Sequence, residues 1–89
     1  MKLGVALLTL LALTAAGGCS RYYWSRPGGD GAQFERDSRE CARLAAETPT
    51  AAAHGIVDAA RYQACLAARG WTREKQWEPV PGGWYRGIE

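Results

Sequence analysis

Hydrophobic positions along the 89-residue chain fall into three patterns. The first is an apolar run from Leu3 to about Ala15, with Lys2 before it and Ala16, Gly17 and Gly18 after it. A positive start, an apolar stretch of about 7 to 15 residues and small residues behind it form the layout of a secretory signal peptide. A helix crossing a bilayer needs roughly 20 apolar residues, so the run is short for a permanent anchor. Residues 1–18 are therefore set apart from the fold.

The second pattern has a helical period. Asp30, followed three residues later by Gln33, signals a helix start, because such a pair exchanges hydrogen bonds with the first free backbone N–H groups. Phe34, Ser38, Cys41, Leu44 and Ala45 then recur at three- and four-residue steps, a narrow apolar stripe. Glu35, Arg36, Arg39, Glu40, Arg43 and Glu47 occupy the other faces as a solvated surface. Proline disfavours helical geometry in the residue before it, so the helix should end at Thr48. Pro49 equally suits the first position of a short helical turn through Ala53, before Gly55 interrupts it.

The third pattern predicts a helix from about Ile56 to Arg69, with Tyr62, Cys65, Leu66 and Arg69 on one side. Gly70 is placed to cap it in the left-handed conformation, with Trp71 folding back over the last turn. The expected fold is all-α: a two-helix antiparallel hairpin over residues 32–71, between irregular flanks at 19–31 and 72–89. Glycines and Pro27 mark the first flank as a tether. In the second, Pro79, Pro81, Gly82 and Gly83 argue for an extended or turning segment. Trp71 and Trp77 are expected to cover the open face of the hairpin. Trp77, Trp84 and Tyr85 are also candidates for contact with a partner, the last two, further out, for sugar rings of a cell wall as well.

Charge narrows the function classes. Of 11 Lys and Arg residues Lys2 lies in the leading segment, which leaves ten against nine Asp and Glu. Nucleic-acid binding needs clustered basic charge, so that class is set aside. The three cysteines are an odd number. Cys41 and Cys65 each lie late in a predicted helix, on its apolar stripe, and come to similar heights in an antiparallel hairpin. A disulfide needs α-carbons about 4.4 to 6.8 Å apart, and this arrangement permits it. Cys41, Cys65 and His54 do not make a zinc site, which usually takes four ligands in close pairs. A redox-active pair more often has two residues between its cysteines. His54 has no base or nucleophile at a useful spacing, and Ser20, Ser25 and Ser38 lie in no nucleophile context. Neither catalysis nor a cofactor is expected.

Ala16-Gly17-Gly18-Cys19 resembles the lipobox of bacterial lipoproteins, departing from it only in having Ala16 where leucine is commonest. The resemblance implies cleavage before Cys19, acylation of its thiol and anchoring in membrane lipid, which leaves Cys41 and Cys65 to pair. Ser20, rather than aspartate, next to the acylated cysteine points to the outer membrane. Arg21, Tyr22, Tyr23 and Trp24 would then lie near the headgroups, where aromatic rings and arginine are favoured; alternatively Trp24 folds back as core filler. Other readings of the first segment are a soluble secreted protein cut near Ala16, with Cys19 a spare thiol, and an uncleaved signal anchor. Phe34, Asp37 and Cys41, with Tyr62, Cys65, Leu66 and Arg69-Gly70-Trp71, are similar to a helical hairpin of small uncharacterised bacterial lipoproteins. That resemblance implies the hairpin and its disulfide, and no activity. The expected function is a non-enzymatic envelope module, periplasm-facing, that binds a protein or wall partner or plays a structural part. The alternative is an accessory or inhibitor subunit docking on an envelope enzyme or secretion complex.

Overall fold

The computed structural model describes residues 20–88; the signal-peptide reading of 1–18 and the acylation expected at Cys19 lie outside the described residues. Five elements follow one another: strand β1 (Ser20–Ser25), helix α1 (Gly31–Ala45), short helix α2 (Pro49–Ala53), helix α3 (Ala59–Ala68) and strand β2 (Thr72–Trp77). The all-α expectation is thereby corrected. β1 and β2, both in flanks expected to be irregular, pair antiparallel from Ser20 opposite Trp77 to Ser25 opposite Thr72. The segment expected to be a tether is thus half strand. Neither strand alternates cleanly between buried and exposed positions, and in β1 only Trp24 is fully buried. A strand without a buried face carries no period-two signal.

The helices begin and end where local hydrogen bonding dictates. Asp30 Oδ1 accepts from the Gln33 N–H at 2.8 Å, and Gln33 Oε1 accepts from the Asp30 N–H at 3.2 Å, which completes the expected capping box of α1. Of the two readings of Pro49, the structure takes the helical turn: Thr48 Oγ1 accepts from the Ala51 N–H at 3.0 Å, and Pro49 is the first residue of α2. Asp58 Oδ1 accepts from the Arg61 N–H at 2.9 Å, so α3 starts at Ala59 rather than at Ile56. At its end Gly70 has φ +90°. There the Gly70 N–H reaches the Ala67 carbonyl at 3.0 Å and the Trp71 N–H reaches Leu66 at 3.1 Å. Those are the two bonds of a Schellman cap.

The core comprises Trp24, Phe34, Cys41, Ala42, Ala45, Tyr62, Leu66 and Trp71. The Cys41–Cys65 disulfide joins α1 to α3 with α-carbons 5.6 Å apart. Leu44, expected on the apolar stripe, is 55% exposed, and Ala42 is buried in its stead. The buried face of α1 is rotated because two things pack on it. One is α3; the other is the C-terminal segment, which returns beside Phe34, Ser38 and Ala42.

That returning segment extends the sheet. Trp24 and Tyr85 exchange two backbone bonds, of 2.7 and 2.8 Å. In an antiparallel strand the N–H and C=O of one residue point to the same edge, so Tyr85 lies across β1 from β2. The Tyr85 ring stacks on Phe34, with centroids 5.7 Å apart and planes 20° apart. The Ile88 N–H donates to Tyr62 Oη at 3.2 Å, and the same hydroxyl is 2.6 Å from Ser38 Oγ. Gly87 makes this closure possible, because a β-carbon there would lie 2.6 Å from Tyr62 Oη.

Candidate functional site

Both roots of the β1–β2 ribbon pass Asp37 on α1. Arg26 follows β1, Trp71 precedes β2, and each reaches the Asp37 carboxylate. Oδ2 accepts from Trp71 Nε1 at 2.9 Å and Oδ1 from Arg69 Nη1 at 3.1 Å, with Arg26 Nη1 3.6 Å from Oδ2. Arg26 also donates to the Arg69 carbonyl at 3.0 Å and to Gln33 Oε1 at 3.1 Å, and its guanidinium lies 4.8 Å over the Trp71 ring. Arg69 is completed by Glu40 Oε1, 2.9 Å from Nη2. The Trp71 hydrogen bond, aided by Arg69 and Arg26, holds the Asp37 carboxyl below the usual carboxylate range, with partial burial opposing it. Glu40 is shifted the same way by Arg69. The cluster clamps the ribbon to the helices and sets its direction.

The ribbon leaves this clamp with one face defined by its register. Residues two apart share a face and cross-strand partners lie together, so Ser20, Tyr22 and Trp24 line up with Trp77, Lys75 and Arg73. At the root of the ribbon Trp24 enters the core. Towards the other end the face emerges: Tyr22 is 39% and Trp77 57% exposed. The Arg73 guanidinium lies 3.7 Å from the Tyr22 ring centroid, and Lys75 Nζ is 5.9 Å from it. Arg73 Nε is buried with no hydrogen-bond partner among the described residues, so its contact with the ring face is a cation–π interaction. On the opposite face Arg86 lies 5.9 Å from the Tyr23 ring and donates Nη1 to the Tyr22 carbonyl at 2.6 Å.

Residues nominated from the sequence are divided by this geometry. Arg21, Tyr22 and Tyr23 lie in the ribbon, whereas Trp24 is 1% exposed and is core filler, the second of its two readings. Trp77 does not cover the hairpin; Trp71 does. Tyr85, expected further out, is half-buried and stacked against the core at Phe34, and Trp84 is half-buried too. Trp77 and Tyr85 do not form one surface. They pair at Ser20 and at Trp24, four residues apart along β1, or about 13 Å. Arg26, Arg73 and Gly87 carried no sequence signal. For Asp37 a signal existed: it lies four residues before Cys41, hence one turn along the face that meets α3.

The remaining surfaces offer little chemistry. A groove of about 430 Å³ has an apolar floor of Phe34, Ala42, Ala52 and Ile88 and a rim that includes Glu35, Arg39 and Arg86; of its hydroxyl-bearing residues, Ser38 and Tyr85, the first is bonded to Tyr62. His54 caps the end of α2 and is exposed. Among the described residues no group of three or more His, Cys, Asp or Glu is placed to hold a metal ion. Nor, among them, is any helix long and apolar enough to cross a membrane. Comparison with protein-family models, with curated proteins and with solved structures finds no match. Fold and site together define a small disulfide-linked α/β module in which an aromatic and cationic ribbon projects from a helical base.

Proposed function

We propose that this chain is a non-enzymatic lipoprotein of the bacterial cell envelope, held in the outer membrane by acylated Cys19, that acts as a binding or structural module on the periplasmic side. The observation that carries the reading is the Cys41–Cys65 disulfide. With three cysteines in the chain and two joined, Cys19 has no intramolecular cysteine left. It stands directly behind Ala16-Gly17-Gly18, where a lipobox would put it. A disulfide persists in an oxidising compartment such as the periplasm, which agrees with export. Ser20 behind the cysteine supports the outer membrane, and the near-neutral mature chain supports lipid, envelope protein or wall polymer over nucleic acid as partner.

Mass spectrometry of the mature amino terminus tests this. The expected species begins at Cys19 and carries acyl chains; an unmodified terminus, or an intact Met1, overturns the reading. A second reading, docking on an envelope enzyme or secretion complex, is supported by the exposure of Trp77. Tyr85 is committed to the core, so docking would fall to Trp77 and Trp84. Recovery of one dominant enzyme from crosslinked envelopes, lost in Trp77→Ala, would favour it.

A further inference from the structure

The ribbon places its most exposed tryptophan beside the point of acylation. Ser20 is the first residue of β1 and the cross-strand partner of Trp77. Antiparallel Cα partners lie about 4.5 to 5.5 Å apart. Cys19 is one peptide bond from Ser20, another 3.8 Å or about that. The Trp77 α-carbon is therefore held within roughly 10 Å of that of Cys19, although 57 positions separate Ser20 from Trp77 in sequence. A free tether over residues 19–31 would have let the module stand off by up to roughly 40 Å. With the first described residue already in the sheet, that freedom is gone.

We propose that the free end of the ribbon lies in the headgroup layer of a phospholipid membrane, with Trp77 inserted beside the acyl chains on Cys19 and Tyr22 at the rim. The inference rests on the lipoprotein reading and adds to it a second, non-covalent attachment and a fixed orientation. Indole suits this position because it has a large apolar body and one N–H donor, the combination enriched where membrane meets water. Trp77 is 57% exposed to solvent, and insertion removes that apolar area from water. Charge is a second contribution. Arg21, Arg73, Lys75 and Arg86, in or against the ribbon, outnumber Glu74 and Glu78, so anionic headgroups add to an insertion that the indole already makes in neutral lipid. The helices and the C-terminal segment then face away from the bilayer, towards the periplasm.

The experiment uses the full mature protein, isolated with its lipid and reconstituted in phosphatidylcholine vesicles with and without bromine on the acyl chains. Wild type is compared with Trp77→Phe, a change at an exposed position that leaves the core intact. The emission lost in Trp77→Phe is expected to be blue-shifted and strongly quenched by brominated lipid, while the core residues Trp24 and Trp71 are quenched little. Adding phosphatidylglycerol should not weaken the quenching. Acylated protein whose Trp77 emission is water-like and unquenched overturns the inference and leaves the lipoprotein reading standing. Trp77 shielded but unquenched overturns it in favour of a protein partner. A sample whose mass shows no acyl chain overturns both.

Discussion

Replacing Gly87 by alanine should destabilise the module although it removes no contact. A β-carbon at this position would lie 2.6 Å from Tyr62 Oη, 3.1 Å from Trp24 Nε1 and 3.2 Å from Phe34 Cζ. None of these three can yield, because Tyr62, Trp24 and Phe34 are 0%, 1% and 5% exposed. The C-terminal segment must move instead. Overpacking of this kind costs about 1 to 3 kcal/mol. Its ceiling is release of the segment, which forfeits four hydrogen bonds and the contacts of Tyr85 with Phe34 and Trp71, each at about 1 kcal/mol. Alanine also narrows the unfolded ensemble, which offsets about 0.5 kcal/mol. The net expectation is a loss of about 2 kcal/mol, or a Tm lower by about 8 to 16 °C for a domain of this size. Gly82→Ala is the control, since nothing lies within 4 Å of its added methyl; its Tm should be unchanged or slightly higher. Thermal melts followed by circular dichroism read both, and amide exchange at Trp24 and Tyr85 should quicken in Gly87→Ala alone. If the two variants melt together, the C-terminal segment is not packed on the core as described.

Two further predictions concern stability. Reduction, or Cys41→Ser combined with Cys65→Ser, opens a loop of 24 residues and should cost about 3.5 kcal/mol by the chain-entropy relation; coincident urea curves with and without reductant would refute that contribution. Asp37 is held below its ordinary pKa in the fold, so its contribution is complete above the unfolded pKa and is lost as pH falls through the folded one. Asp37→Asn should cost about 1 to 3 kcal/mol at neutral pH and flatten the fall in Tm below about pH 4, with the remaining slope due in part to Glu40. An unchanged acid slope would remove Asp37 from the clamp.

How much of this was legible depends on how far apart the interacting residues lie. Asp30 with Gln33, Pro49 after Thr48, and Gly70 with Trp71 announce helix boundaries because each cap is closed by neighbours within five residues. Cys41 and Cys65 could be paired because each lies on a helical stripe, and periodicity reports stripes. The ribbon was hidden. Tyr22, Tyr23 and Trp24 favour strands, but Pro27 and the glycines that follow mark the surrounding flank as loop. Thr72 to Trp77, with three charged residues in six, has little strand preference of its own. It becomes a strand because β1 lies alongside and the Asp37 clamp brings both roots together.

The candidate site divides along the same line. The lipobox resemblance at Cys19 rests on four adjacent residues, since a processing enzyme reads the local chain. Trp77 could not be placed, because its neighbour across the ribbon is Ser20, 57 positions away. By itself the sequence determined the two main helices, their caps and the cysteine pairing, all of which rest on local geometry or on periodicity. Only the tertiary structure decided that Trp24 belongs to the core and Tyr85 packs against it, that half of the expected tether is a strand, and that Trp77 stands beside Ser20. Those outcomes depend on which distant segments pack together, and packing is settled by the whole chain at once.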